Sequence, residues 1–387
     1  MTTIIVSGAI ANKHFNGGAA WTRLNWLLGF KKLGFRVLFV EEIKRENCVD
    51  AAGAGTSFEN SANLAYFKQI FEQFDLLGSA ALVYENGEKV FGLDYVELLA
   101  IAEDAELLVN ITGHLTCDAL MRRLRHKVYI DLDPGFTQFW HTIGNAGPRL
   151  DGHDFYFTVG ENIGTAGCPI PTGEISWRRT RQPIVLEHWP TSNHGTHDGF
   201  TTIASWRGPY GPVQHNGKAF GLKVHEFRKF IELPERTRQG FEIALDIHPA
   251  EAKDLKLLRQ HGWRIADPKL VAGDPAKFRR YVQTSGAEFS VAQAVYVETN
   301  SGWFSDRTVR YLASGKPALV QDTGFSRNYP VGEGLIPFRT MDEAVAGVES
   351  IARDYGEHCR AARALAEEYF DSDKVLGELI EQVGIAP

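Results

Sequence analysis

Two separate runs of alternating apolar strands and helices are the feature that most constrains the fold. The first run begins with "TIIVSG", continues through the helical stretch "GGAAWTRLNWLLGFKKLG" and reaches the strand "FRVLFVEE". The second begins at Phe200 with "FTTIASW" and alternates in the same way. Apolar strands that are each followed by a helix are typical of a parallel sheet covered on both faces. The sequence therefore predicts an α/β protein with two domains of this type.

The length of the chain agrees with two domains. It has 387 residues, and single cores seldom grow beyond about 250–300 residues. Between the two runs, residues 164–199 are rich in Pro, Gly, Thr and Arg and lose the alternation, which indicates the domain junction. We expect the N-terminal domain over residues 1–185 and the C-terminal domain over residues 199–370. The amphipathic last segment predicts a helix over residues 371–387.

Composition limits the classes of function. Lys and Arg number 41 against 48 Asp and Glu, a net charge of -7, so we expect no nucleic-acid partner. The four cysteines are far apart and predict neither a disulfide framework nor a zinc site. No apolar run approaches the roughly 20 residues of a membrane span, and "MTTIIVSGAIANKHF" lacks the pattern of a signal peptide. We therefore expect a cytoplasmic protein without an integral membrane segment.

The loop between the first strand and the first helix, "GAIANKHFNGGAAW", has features of a phosphate site. Gly17 and Gly18 would let a ligand approach the backbone at a helix N-terminus, where free N–H groups and the helix dipole favour anions. The loop has neither GxGxxG nor Walker spacing, so it predicts no classical dinucleotide or P-loop site. A turn without any ligand would explain the same glycines.

Two cations near the start of the second domain suit a diphosphate. Arg207 follows the strand "FTTIASW", and Lys223 lies at the start of the next helix. An arginine binds phosphate as a planar fork and a lysine as a point charge. Solvated surface charge is the alternative interpretation, because surface cations are common.

The stretch "SGWFSDRTVRYLASGKPALVQDTG" predicts a buried helix with a polar first turn. Ser305 or Thr308 would cap this helix and direct its free N–H groups at a phosphate. Asp306, with Arg307 beside it, would bind sugar or ribose hydroxyls. We place Glu298, eight positions before Asp306, at the end of the preceding strand, where it would join this group. Simple helix capping is the alternative.

Candidate catalytic residues follow the strands of the first domain. His14 lies in the first loop, and His114 follows "LLVNITG". Asp131 and Asp133 close "YIDLDPG" and could orient a histidine or contact a substrate hydroxyl. Open α/β sheets bind ligands at the carboxyl ends of their strands, which favours a catalytic role for His14, His114 or Asp133. A structural role is the alternative for each.

These features together resemble nucleotide-sugar glycosyltransferases of the GT-B fold, in which two Rossmann-like domains face each other across a cleft. "VRYLASGKPALV" is similar to the end of a donor-domain motif of the retaining, glycogen-synthase-like branch. The resemblance implies that Gly17 and Gly18 contact donor phosphate and that Arg207 and Lys223 neutralise the diphosphate. It also implies that His114 lies near the transferred sugar and that the last helix crosses back to the first domain.

The chain departs from this branch at one position, because the family's ribose-binding glutamate falls on Arg310. Either Asp306 replaces it from the turn before, or the spacing is chance. The resemblance implies a hexosyltransferase that moves a sugar from a nucleoside diphosphate sugar to a small-molecule or glycan-precursor acceptor. It implies neither a metal nor a cofactor. A nucleotide-sugar epimerase with the same fold and a non-catalytic nucleotide-sugar binder are the alternatives.

Overall fold

An eight-stranded sheet forms the centre of the N-terminal domain. The structure, a computed structural model, describes residues 1–192, 199–208 and 210–386. The strand order is β4-β3-β2-β1-β5-β6-β7-β8, and every pair is parallel except β3 with β4. The strands are β1 Thr3–Ser7, β2 Arg36–Ile43, β3 Ala80–Tyr84, β4 Lys89–Gly92, β5 Leu107–Ile111, β6 His126–Asp131, β7 Phe155–Thr158 and β8 Trp177–Arg179.

A six-stranded, fully parallel sheet forms the centre of the C-terminal domain. Its order is β13-β12-β9-β14-β15-β16, and a two-stranded hairpin, β10-β11, stands apart from it. The strands are β9 Phe200–Ser205, β10 Val213–His215, β11 Lys218–Phe220, β12 Phe241–Asp246, β13 Trp263–Ala266, β14 Ala287–Ser290, β15 Ala318–Gln321 and β16 Leu335–Phe338.

Helices cover both sheets. Those of the N-terminal part are α1 Gly17–Lys32, α2 Ala62–Gln73, α3 Tyr95–Asp104, α4 Asp118–Met121 and α5 Phe136–Thr142. Those of the C-terminal part are α6 Lys223–Phe227, α7 Ala252–Gln260, α8 Pro268–Ala272, α9 Pro275–Thr284, α10 Ala294–Glu298, α11 Asp306–Ala313, α12 Met341–Arg353, α13 Tyr355–Tyr369 and α14 Ser372–Val383.

Helix α1 is buried around most of its circumference, because three neighbours cover it. It packs on its own sheet, on α9 of the C-terminal domain and on α14, the last helix. A Cβ added at Gly29 would lie 2.5 Å from Leu376 Cδ1, so only glycine lets α14 approach so closely. The last helix therefore returns to the N-terminal domain and ties the chain end to α1.

The hairpin β10-β11 extends from the C-terminal domain onto the N-terminal domain. The ring of Phe220 stacks on Phe139 of α5 with centroids 5.4 Å apart, and His215 lies 4.7 Å from the same ring. Such aromatic contacts bury large apolar areas in defined geometries. The hairpin is thus a second connection between the domains, which sequence pattern alone did not predict.

The two parallel sheets confirm the predicted α/β class and its two Rossmann-like domains. The proposed junction, residues 164–199, contains the edge strand β8 and ends where β9 begins, and its residues 193–198 lie outside the described residues. The expectation that Glu298 ends a strand is wrong, since β14 ends at Ser290 and Glu298 is the last residue of α10. In the part of the chain that the structure describes, no helix has the length and apolar character that a membrane span requires.

Candidate functional site

A cleft of about 1420 Å³ separates the domains at the carboxyl ends of both sheets. Residues that follow β2, β5, β6, β9, β12 and β13 line it. Nine Lys and Arg residues line the cleft against five Asp and Glu, although the whole chain has a net charge of -7. The cleft is therefore suited to an anionic ligand. Its cations are Lys13, Arg23, Lys44, Arg149, Lys223, Arg259, Lys269, Arg307 and Arg310.

Glu41 fixes the loop that follows β1. Its carboxylate is fully buried and accepts backbone N–H groups of Ile10, Ala11 and Asn12 at 2.8–2.9 Å, together with the Asn12 side chain. Burial raises the pKa of Glu41, while these hydrogen bonds favour its ionised form. The sequence analysis missed this residue. The sequence feature that could have indicated it is an acidic residue at the end of the otherwise apolar strand "FRVLFVEE".

His114 stands at the end of β5 on a strained turn. Thr112 and Gly113 both have positive φ, 58° and 61°, and a β-branched residue such as Thr112 rarely adopts this conformation. Burial and the charge of Arg23 lower the pKa of His114 to about 3, so the ring is neutral at physiological pH. Its Nε2 lies 3.2 Å from the carbonyl oxygen of Glu42. His114 therefore acts as a neutral hydrogen-bonding group and is a poor general base.

Asp131 and Asp133 have different roles. Asp131 is buried and accepts hydrogen bonds from Thr137, Gln138 and Thr158 at 2.7–2.8 Å, so it holds the turn together. Burial raises the pKa of Asp131 to about 6. Asp133 lines the cleft and accepts hydrogen bonds from two phenols of the opposite domain. These come from Tyr210 at 3.2 Å and Tyr296 at 3.3 Å.

His14 also lines the cleft, on the opposite side of the Asn12 loop from His114. The Nδ2 of Asn63 donates to His14 Nδ1 at 3.3 Å. Burial lowers the pKa of His14. The cleft therefore contains all three predicted catalytic residues, and Asp133 is the one whose side chain is shown to contact the opposite domain.

Lys223 and Arg307 lie side by side on the C-terminal wall. The guanidinium of Arg307 is held by Glu288 at 2.5 Å, by the Ile203 carbonyl at 2.8 Å and by Ser290 at 2.7 Å. Burial and the neighbouring charge of Arg307 lower the pKa of Lys223 to about 7. An anion bound beside both cations would relieve this repulsion. The pair therefore forms a site for a negatively charged group.

The polar start of α11 connects the two domains. Asp306 accepts the hydroxyl of Thr22 at 2.5 Å and Arg310 Nη2 at 2.9 Å, and Arg310 Nη2 also donates to Thr22 at 2.9 Å. Ser305 caps the helix by accepting the Arg307 N–H, whereas the buried Thr308 hydroxyl has no partner among the described residues. One oxygen of Asp306, Oδ2, is therefore directed at protein groups in this conformation.

Two predicted site residues, Arg207 and Glu298, form ion pairs outside the cleft. Arg207 is 55% exposed and pairs with Glu251 outside the lining of the cleft. Glu298 pairs with Lys218 at 2.8 Å, also outside it. The pairing of Glu298 with Asp306 in a shared site is therefore wrong, because the two side chains bind different partners.

The two glycines of the first loop serve domain contact. A Cβ at Gly17 would lie 2.2 Å from the carbonyl oxygen of Asp274, and a Cβ at Gly18 would lie 2.9 Å from the Phe278 ring. Both positions thus exclude side chains because the C-terminal domain approaches the N-terminus of α1. Gly18 still lines the cleft, whereas Gly17 does not. The alternative interpretation, a turn without any ligand, also predicted glycine at these positions. The observed reason is the close approach of the C-terminal domain.

Arg23 is a cleft residue that the sequence analysis missed. It is 4% exposed, its Nε has no partner among the described residues, and Nη1 donates only to the Ala19 carbonyl at 3.3 Å. Burial lowers the pKa of Arg23, and the charges of Asp306 and Glu41 oppose this effect. The signal was an arginine within the apolar stretch "WTRLNW". An under-satisfied buried cation in a cleft is a candidate ligand-binding group.

Solved structures similar to this one are glycosyltransferases. An alpha-glucosyltransferase in complex with UDP-glucose and DNA containing an abasic site matches with a TM-score of 0.62, 11% identity and 99% coverage of both chains. HepE (Alr3699) of Anabaena in complex with UDP and glucose also has a TM-score of 0.62, with 12% identity, over 99% of this chain and 100% of HepE. No family model matches the chain, and no curated protein sequence is similar to it.

The expectation that excluded nucleic acid as a partner is wrong. The matching alpha-glucosyltransferase has been solved with DNA together with UDP or UDP-glucose. The exclusion relied on the net charge of the whole chain. Binding depends on local charge, and the cleft has an excess of cations that the overall charge of -7 conceals.

The resemblance in fold extends along the whole chain. The matches cover 99% of this chain, so both sheets and the last helix lie within the aligned fold. At 11–12% identity the likeness establishes the fold. The protein has the GT-B fold, as the sequence analysis predicted.

Proposed function

We propose that the protein is a glycosyltransferase that moves a sugar from a nucleoside diphosphate sugar to an acceptor held by the N-terminal domain. The observation that carries this proposal is the cluster of incompletely paired cations in the cleft between two parallel sheets. The similar structures were solved with UDP or UDP-glucose, which makes a uridine nucleotide the first donor to test. The proposed reaction is independent of metal.

The diphosphate would bind between Lys223 and the buried arginines Arg23 and Arg310. The Nε atoms of both arginines have no partner among the described residues, and Lys223 shows no hydrogen bond to a protein acceptor there. Arg307 supports Lys223 from a fixed position. Arg207 has no part in this arrangement, because it lies outside the cleft.

The nucleoside would occupy the ends of β12 and β13. There the cleft is lined by the apolar side chains of Leu245, Ile247 and Ile265 together with Asp246 and Asp267. Apolar walls with a few polar groups are typical of small-molecule sites. A base would pack against the apolar residues, and the carboxylates would accept hydrogen bonds from ribose hydroxyls. This assigns the ribose role to strand-end acids in place of Asp306, whose Oδ2 already accepts hydrogen bonds from Thr22 and Arg310.

The reaction breaks the bond between the sugar C1 and the diphosphate oxygen and forms a bond from C1 to an acceptor hydroxyl. Negative charge develops on the departing diphosphate, and Lys223, Arg23 and Arg310 would stabilise it. A preorganised group of this kind contributes about 3–4 kcal/mol to lowering a barrier. Asp133 is the candidate to receive the acceptor proton, and neutral His114 would hydrogen-bond to the sugar.

The test is to incubate the protein with UDP-glucose and a panel of acceptors and to measure UDP release and sugar products. We expect UDP release with transfer to an acceptor or slow hydrolysis, and a fall of about 100-fold or more in Lys223→Ala. Lys253→Ala is the matched control, because Lys253 is exposed on α7 and does not line the cleft. An isomerised nucleotide sugar would indicate an epimerase. Tight UDP-glucose binding without any turnover would indicate a non-catalytic binder.

A further inference from the structure

The N-terminal wall of the cleft has cations that the donor does not require. Lys13, Lys44 and Arg149 line this wall, and none of them forms an ion pair with any residue that the structure describes. The donor diphosphate, in the proposed function, is bound by Lys223, Arg23 and Arg310. Three cations thus remain on the acceptor side without an ion-pair partner among the described residues.

The acids on this wall are already engaged. Glu42 accepts backbone N–H groups of Thr116 and Cys117, the latter at 3.0 Å, and Asp133 accepts the two phenols described above. Glu42 thus holds a loop, and Asp133 contacts the opposite domain. Neither forms an ion pair with the three cations, although the charges of Asp133 and Asp306 partly oppose the lowering of the Lys13 pKa by burial.

The backbone of the same wall is strained at three places. Phe15, Thr112 and Arg149 have φ values of 58°, 58° and 53°, and all three residues line the cleft. Residues other than glycine adopt this conformation at an energetic cost that is commonly found at ligand sites. Arg149 is held in place, because its carbonyl oxygen lies against Gly113, where an added Cβ would be 2.9 Å away. The backbone from which one of the unpaired cations extends is therefore restrained by its contact with Gly113.

His114 lies close to two of these cations. Burial lowers the pKa of His114, and the nearby charges of Arg23, Arg149 and Lys13 lower it further. An anion placed among them would be attracted by each cation. Beside them, the exposed ring of Phe15 packs edge-on against Tyr66 with centroids 6.0 Å apart and offers an apolar surface at the rim.

We infer that the acceptor carries a phosphate group, which binds on the N-terminal wall between Lys13, Lys44 and Arg149 near His114. This inference rests on the proposed function, since it takes the opposite wall as the donor site. Phosphate fits the site because Arg149 can bind it as a fork and the lysines as point charges. The phosphate belongs either to a phosphorylated small molecule or to the backbone of a nucleic acid.

The experiment measures binding of matched probes to the full chain saturated with UDP, so that no probe can occupy the diphosphate position of the donor site. Titration calorimetry compares glucose with glucose 6-phosphate, and a 13-nucleotide DNA duplex with an uncharged methylphosphonate duplex of the same sequence. We expect at least one phosphate-bearing probe to bind 10-fold or more tightly than its neutral partner, about 1.4 kcal/mol. A preference for glucose 6-phosphate identifies a small acceptor, and a preference for DNA identifies a nucleic acid.

Substitutions of the cations show whether the preference for phosphate-bearing probes arises at the N-terminal wall of the cleft. Arg149→Gln should remove most of the preference and leave UDP binding unchanged. Arg238→Gln is the matched control, because Arg238 is exposed, unpaired among the described residues and outside the cleft. If UDP binds but no charged probe is preferred, or if the preference survives Arg149→Gln combined with Lys13→Gln, the inference is overturned and the proposed function stands. If UDP itself fails to bind, both are overturned.

Discussion

Thr22 and Asp306 join the two domains across the cleft, with the Thr22 hydroxyl donating to the Asp306 carboxylate at 2.5 Å. Thr22 belongs to α1 of the N-terminal domain, and Asp306 begins α11 of the C-terminal domain. Arg310 completes a triangle by donating to both. Burial raises the pKa of Asp306, but Arg310 and Thr22 outweigh it and lower the pKa overall. The negative charge is thus used to hold the domains together.

Thr22→Val should destabilise the protein by about 1–3 kcal/mol, because Asp306 and Arg310 each lose a buried hydrogen bond while the volume at position 22 is conserved. Denaturant unfolding of the full chain measures the loss of stability. Thr22→Ser retains the hydroxyl and should recover most of the loss. Equal stability of Thr22→Val and the parent protein would show that the contact contributes nothing.

The affinity for UDP-glucose should fall as the pH rises above about 7. The pKa of Lys223 is lowered to about 7 in the free protein, so binding at higher pH requires uptake of a proton by Lys223. Affinity falls with rising pH because only the protonated form of Lys223 attracts the diphosphate. Well above the pKa, the affinity decreases by about 10-fold per pH unit. Calorimetric titrations between pH 6.5 and 9 test this prediction.

Lys223→Arg provides the control for that profile. Its guanidinium stays charged throughout the range, so its affinity should be nearly independent of pH. A fall in affinity with pH in Lys223→Arg as steep as in the parent protein would assign the titration to another group.

Asp131 should make the protein less stable as the pH rises from about 4 to about 6. Burial raises the pKa of this carboxyl to about 6 in the folded state, so the folded state binds the proton more tightly than the unfolded state does. In this window the contribution to the free energy of unfolding falls by about 1.4 kcal/mol per pH unit. Asp131→Asn cannot titrate, so the difference between the two proteins should change with pH in this window. Parallel stability profiles would contradict the assignment.

Arg207→Gln should leave UDP-glucose affinity within about twofold of the parent value. Arg207 pairs with Glu251 on the surface, and exposed ion pairs contribute about 0–1 kcal/mol. Arg23→Gln is the informative comparison, since it removes a buried cation from the cleft, and we expect it to weaken binding by about 10-fold or more. Equal effects of the two substitutions would place the diphosphate nearer to Arg207 than we propose.

The fold could be predicted from the sequence because its signals are local. Apolar strands that are each followed by a helix predicted the two sheets. The loss of this alternation before Phe200 indicated where one domain ends and the next begins. The placement of α1 between both domains was harder to predict. Its buried Arg23 became interpretable only with α9 and α14 packed around the helix.

The site could be predicted only in part, because its geometry depends on residues that are distant in the chain. Lys223, His114 and Asp133 follow strands or begin helices, which is a local signal, and all three line the cleft. Arg207 has the same local signal, but Glu251, 44 positions later, pairs with it outside the cleft. No spacing rule contains that information. In the same way, Asp306 has the residue type of a ribose ligand, yet its partner Thr22 is 284 positions away.

The central claim is that the cations of the cleft bind a nucleoside diphosphate. Titration of the full chain with UDP and with uridine, at low ionic strength and pH 6.5, tests it most directly, because the two ligands differ only in the diphosphate. We predict that UDP binds at least 100-fold more tightly than uridine, about 2.7 kcal/mol, and that Lys223→Ala removes most of this difference. Equal affinity for UDP and uridine, or an unchanged difference in Lys223→Ala, would contradict the claim.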